Sequence, residues 1–129
     1  MKPKYLVDTV YLIAYLNPSD KLHSQAVNTL HQEKHSITYS SHALQELDLI
    51  LKSRGYTPTE RTNTWLILEA LIEENIAPPH PADYQQAAQL EQQGYDYFDA
   101  LIAAQAARLH LTPLTTDKQL KQAHQQLKK

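Results

Sequence analysis

Apolar positions in this chain come in short blocks, and the spacing within a block switches between unbroken runs and a three-to-four-residue repeat. The first block, Lys4 to Val7, reads as a buried strand, and Thr9 to Leu16 continues as a helix that must stop before Asn17-Pro18. Leu22, Ala26, Val27 and Leu30 recur at helical spacing, after which Ser36-Ile37-Thr38-Tyr39 is β-prone. Ser40 or Ser41 is placed to cap a helix carrying Leu44, Leu47 and Leu51, with Gly55 as its left-handed terminator. Thr57-Pro58-Thr59-Glu60 combines a capping box with proline in the first turn, predicting a helix from Pro58 to about Glu74. Its apolar positions, Trp65 to Leu68 and Ala70 to Ile72, exceed what one buried face needs. Ile76-Ala77-Pro78 reads as a short strand, Pro81 to Gln93 as a helix closed by Gly94, and Tyr97 to His110 as a central helix rich in alanine and leucine. Thr112 to Thr115 forms the last strand and Asp117 to Leu127 a polar final helix with lysines toward its C-terminal end.

Alternating strands and helices predict an α/β fold. Its parallel sheet of about four to five strands is covered on both faces and joined by right-handed crossovers. With 129 residues, the chain has the size of a single domain spanning 1–129. Two glycines against thirteen glutamines favour helices with short connections and leave no glycine-rich loop for a nucleotide phosphate. The absence of cysteine excludes disulfides and thiolate sites, so any metal must be held by oxygen or imidazole, and it agrees with a cytoplasmic setting. Met1 to Lys4 followed by an apolar run imitates a signal peptide, but Asp8 interrupts that run and no small-residue cleavage site follows, which predicts a protein with no membrane association. A formal net charge of −2 supplies no overall basic field, so a nucleic-acid partner must be held by local cations or through metal ions.

Four acids stand beside apolar segments: Asp8 at the end of the first strand, Glu46 inside a helix, Asp99 opening the alanine-rich helix, and Asp117 after the last strand. Carboxylates pressed against apolar sequence are costly unless paired or bound to a cation. In parallel sheets, ligands collect at the C-terminal strand ends, where Asp8 and Asp117 fall. Each acid also has an ordinary reading. Asp8 and Asp117 suit helix N-caps, and Asp99 suits a first helical turn capped by Asp96. Glu46 has no lysine or arginine three or four residues away, which leaves its charge unpaired along the helix. His31 and His35 share the spacing of a metal pair, but their polar neighbours favour an exposed helix end. Lys52, Arg54 and Arg61 surround the turn at Gly55 and are candidate phosphate contacts.

Leu6-Val7-Asp8-Thr9 followed by Leu12-Ile13-Ala14-Tyr15-Leu16 resembles the opening of PIN-domain ribonucleases. Glu46-Leu47, Phe98-Asp99-Ala100-Leu101-Ile102-Ala103-Ala104 and Leu114-Thr115-Thr116-Asp117 are similar, in order, to the family's second, third and fourth acid segments. The resemblance implies a three-layer PIN-like fold and a Mg²⁺- or Mn²⁺-dependent endoribonuclease of the VapC toxin type. It also implies an RNA substrate, an antitoxin partner and products bearing a 5′ phosphate and a 3′ hydroxyl. In that reading Asp8 and Asp99 are principal metal ligands, and Glu46 and Asp117 bind a second ion or orient water. Thr9, Thr115, Thr116 and Asp96 are the supporting residues. The surplus apolar width around Trp65 points to a homodimer. Val10 stands where the family often has a small polar residue. Two rivals remain: a receiver or phosphatase module, which normally needs a second acid at the Val10 position, and a non-catalytic PIN-like module that binds RNA or regulates.

Overall fold

The computed structural model describes residues 2–128; Met1 and Lys129, the outer bounds of the expected 1–129 domain, lie outside the described residues. Its strands are β1 (Tyr5–Val7), β2 (Ile37–Ser40), β3 (Ile76–Ala77) and β4 (Thr112–Leu114). Its helices are α1 (Thr9–Leu16), α2 (His23–Gln32), α3 (Ser41–Ser53), α4 (Pro58–Ile72), α5 (Pro81–Gln92), α6 (Tyr97–Leu109) and α7 (Lys118–Leu127). The four strands form one sheet in the order β3-β2-β1-β4. All pairings are parallel, with Val7 opposite Tyr39 on one side and Leu114 on the other. Pro113 sits in β4, an edge strand, where a missing amide is tolerated.

Successive residues of a strand face opposite ways, and this alternation divides the core into two layers. Val7, Ile37 and Tyr39 pack with Leu12, Leu30, Leu47 and Leu68 on one face. Leu6 turns to the other and meets Ile102, Ala106 and Leu120. Ala100, Leu101 and Ala103 of α6 also pack against Ala87 and Leu90 of α5. Helix α6 is thus buried along most of its length, from Ala100 to Ala106. No described helix is long and apolar enough to cross a membrane.

Several element ends differ from expectation by one or two residues, each for a local reason. Helix α4 stops at Ile72 because Glu73 turns to φ 56°, ψ −126°. His110 is the left-handed cap of α6, at φ 58°, and not its last helical residue. Asp117 caps α7 from outside the helix. Helix α3 follows β2 with no intervening loop, and Ser40 Oγ caps it by accepting the Ala43 amide at 3.1 Å. The Thr57–Glu60 capping box forms as expected, with amide contacts of 2.9 and 3.1 Å.

A buried ionic cluster fastens α5 to α3 and α6. Asp83 is fully buried and accepts from Arg108 Nε at 2.7 Å, from Arg108 Nη2 at 3.2 Å and from His42 Nε2 at 3.0 Å. Burial opposes ionisation of Asp83, but these bonds and the His80 amide outweigh it and hold the carboxyl below its usual range. Removing one member of such a buried pair strands its partners. Asp83→Asn should therefore destabilise the protein by about 3 kcal/mol in urea unfolding, and a change below about 0.5 kcal/mol would contradict the role given to the cluster.

Candidate active site at the sheet edge

The strand order contains a switch point. The chain moves outward from β1 to β2 and β3, then returns to place β4 on the other side of β1. In open parallel sheets ligands collect at such a point, outside the C-terminal strand ends. Asp8 immediately follows β1, and its amide donates to the Leu114 carbonyl of β4 at 3.2 Å. Asp117 follows β4 by three residues. The two acids flank that point.

Asp8 is 2% exposed and anchored at both oxygens: Oδ1 accepts the Thr9 amide at 2.7 Å and Oδ2 the Thr115 hydroxyl at 2.6 Å. It therefore caps α1 and is also tied to the segment that follows β4. Burial raises its carboxyl above the ordinary range, outweighing those hydrogen bonds, and Asp117 adds to the rise. Glu46 has a hydrogen-bond partner, though not a cationic one. The Thr9 hydroxyl, buried and far away in sequence, donates to Glu46 Oε1 at 2.5 Å and lies 3.4 Å from the Ala43 carbonyl. Even so, burial raises the Glu46 carboxyl, with further contributions from Asp8, Asp96 and Asp117.

Asp99 lies in the first turn of α6, beneath Asp96, whose Oδ2 accepts the Phe98 and Asp99 amides at 3.2 and 3.4 Å. The Asp99 carboxyl is pushed up to about 7, first by burial and then by the charges of Asp117, Asp96, Asp8 and Glu46. Asp117 Oδ1 caps α7 through the Gln119 and Leu120 amides, at 2.8 and 3.3 Å. The four sequence-predicted acids thus share one electrostatic neighbourhood, although among the described residues no three carboxylate or imidazole groups stand in a ready ligand constellation.

The supporting residues divide. Thr9 and Thr115 are buried and bonded to the candidate acids, and Asp96 caps α6, whereas Thr116 is exposed and leaves the hydroxyl contact with Asp8 to Thr115. Lys52 and Arg54 are exposed at the far end of α3 from Ser40, while Arg61 lies 3.7 Å from Asp48 and donates to the Tyr56 carbonyl at 3.1 Å. His31 stacks against Tyr15, with ring centres 5.8 Å apart. Sequence reasoning missed Ser40 and Gln105, which join the two helices carrying Glu46 and Asp99. The available signal was a lone glutamine inside the alanine-rich run of α6.

An all-oxygen donor set with uncompensated negative charge suits a hard divalent cation such as Mg²⁺, which needs few direct carboxylates and retains water. In sequence, the model of the PIN domain matches residues 5–125. No curated protein sequence matches the chain. Among solved structures, VapC20 of Mycobacterium tuberculosis, a sarcin-ricin loop cleaving toxin, is 18% identical over 93% of this chain and 95% of its own, with a TM-score of 0.73. PAE2754 from Pyrobaculum aerophilum is also 18% identical, over 98% of this chain and 96% of its own, with a TM-score of 0.65. Both likenesses concern the fold, which is the PIN-like arrangement of a parallel sheet between helical layers. The match along nearly the whole chain decides the family: this protein belongs to the PIN domain family.

Proposed function

We propose that this chain is a metal-dependent endoribonuclease and the toxin of a toxin–antitoxin pair. The observation that carries the proposal is the gathering of Asp8, Glu46, Asp99 and Asp117 about the switch point, where the charges of the other three, with Asp96, raise the Asp99 carboxyl. Family membership supports nuclease chemistry, and the RNA-cleaving activity named for VapC20 supports RNA as the substrate class. Asp8 and Asp99 would hold Mg²⁺ or Mn²⁺, with Glu46 and Asp117 binding a second ion or orienting water. When bound, the ion polarises a phosphoryl oxygen and lowers the pKa of coordinated water. Thr115 and the Thr9 amide fix the Asp8 carboxylate, and the Thr9 hydroxyl holds one Glu46 oxygen, leaving the other to accept a water proton. Hydrolysis adds water across a phosphodiester, leaving a 5′ phosphate and a 3′ hydroxyl. Lys52, Arg54 and Arg61 would steer the backbone.

The partners are RNA, a protein antitoxin and a second copy of the chain, in the cytoplasm. The second copy is supported by Leu66 and Ile67 of α4, which are 59% and 56% exposed beside half-buried Trp65. That no three carboxylate or imidazole groups among the described residues stand in a ready ligand constellation favours a second reading, a non-catalytic PIN-like module that binds RNA without cutting it.

Three measurements test these readings. Purified protein should cut single-stranded RNA with Mg²⁺ or Mn²⁺ and stop with EDTA. Asp99→Asn should lower the rate by on the order of a hundredfold or more with an unchanged circular dichroism spectrum. RNA binding without cleavage in the parent protein selects the non-catalytic module, and full activity in Asp99→Asn removes that residue from the site.

The second concerns pH. The folded-state carboxyl of Asp99 is raised from 3.8 to about 7, so its stabilising contribution is complete below the unfolded value and disappears as pH rises through the folded one. The metal-free melting temperature of Asp99→Asn should therefore gain on that of the parent between about pH 4 and pH 7. A constant difference across that window contradicts the raised carboxyl. Third, Leu66→Lys combined with Ile67→Lys should convert a dimer to a monomer in light scattering, and a parent that is monomeric at all concentrations rejects this interface.

A further inference from the structure

Helix α6 is the most thoroughly buried helix, and its one fully buried polar side chain is Gln105, at 0% exposure. Gln105 Oε1 accepts the Ser40 hydroxyl at 2.6 Å. Its Nε2 lies 3.1 Å from Ser41 Oγ, 3.0 Å from the Ala77 carbonyl and 3.1 Å from the Pro78 carbonyl. One amide thus ties α6 to the end of β2, the start of α3 and the end of β3. Packing alone does not require it, because methionine or leucine would fill a similar volume among these alanines. A buried amide is tolerated only with its hydrogen bonds made, so its presence specifies this one arrangement of elements.

The positions along the two helices give the clamp its consequence. Glu46 follows Ser40 by six residues on α3, and Asp99 precedes Gln105 by six on α6. At the rise of an α-helix each acid lies about 9 Å along its own axis from the same link. Thr9 then holds Glu46 from α1, and Asp96 holds the first turn of α6, so both acids project from fixed supports.

We infer that Gln105 is a positioning residue: through Ser40 and the ends of β2 and β3 it fixes the gap between Glu46 and Asp99, and with it the affinity of the acid edge for a divalent cation. The inference rests on the metal-site reading above and adds to it the side chain that sets the site's dimensions. Metal-supporting residues outside the ligand set commonly alter affinity by about 10- to 100-fold.

The test is Mn²⁺ titration of the full chain, followed by the electron paramagnetic resonance of free Mn²⁺, with the fold checked by circular dichroism. Gln105→Met should raise the Kd for Mn²⁺ by about tenfold or more. Ser40→Ala, which cuts one of the four Gln105 contacts and also the cap of α3, should raise it less, and the two changes together should raise it by less than the product of their separate effects, since they share the Ser40–Gln105 link. Ile72→Val, a core change in the last turn of α4, should lower the melting temperature and leave the Kd unchanged, separating positioning from general loss of stability. A folded Gln105→Met that binds Mn²⁺ like the parent overturns the inference. If that variant does not fold, Ser40→Ala decides by the same criterion. A parent that binds no Mn²⁺ overturns the metal-site reading and this inference together, whereas a binding parent with unaffected variants overturns only the clamp.

Discussion

Pairing of β1 on both sides is the constraint on which the rest depends. A strand of three residues, Tyr5 to Val7, has few backbone groups to offer, yet β2 and β4 both align with it in register. Because β4 comes from the far end of the chain, this pairing closes the fold and creates the switch point in one step. Asp8 is fixed there by backbone geometry. The Leu114 carbonyl accepts from its amide, and the Thr115 hydroxyl one residue later donates to its carboxylate.

From that edge the electrostatics follow. Burial makes ionisation of Asp8, Glu46 and Asp99 harder, and each charge makes the next harder still. Hydroxyls and backbone amides offset part of this cost, through Thr115, Thr9 and the helix starts that Asp8, Asp96 and Asp117 cap. These bonds orient the carboxylates without cancelling their charge. Asp8 divides its oxygens, Oδ1 capping α1 and Oδ2 accepting from Thr115, so its direction is set from both sides of the sheet edge.

Stability and site geometry are handled by different polar groups. The Asp83–Arg108–His42 cluster pairs charge internally and holds α5 against its neighbours, with a carboxyl kept below its usual range. The acid edge leaves charge unpaired, and the carboxyls of Asp8, Glu46 and Asp99 are raised. Gln105 and Arg108 lie three residues apart on α6, so one helix carries the neutral clamp, the ionic clamp and, near its start, Asp99.

The sequence by itself determined the elements and their order. Local signals act over a few residues: the Thr57 capping box, glycine at position 55 at φ 88°, and the switch between unbroken and helical apolar spacing. Asp8, Asp99 and Asp117 were legible as candidates because a charge beside an apolar run is visible in one dimension. Tertiary structure alone decided the partners. Nothing near Glu46 in sequence announces Thr9, and Gln105 reads as one interruption in a helix until β2 and β3 bring Ser40 and the Ala77 carbonyl to it. The strand order also lay beyond the sequence, because parallel pairing depends on long-range register and not on the composition of segments two to four residues long. Long-range polar contacts leave little local trace. A hydroxyl or amide has the same sequence neighbours whether it faces water or a buried carboxylate.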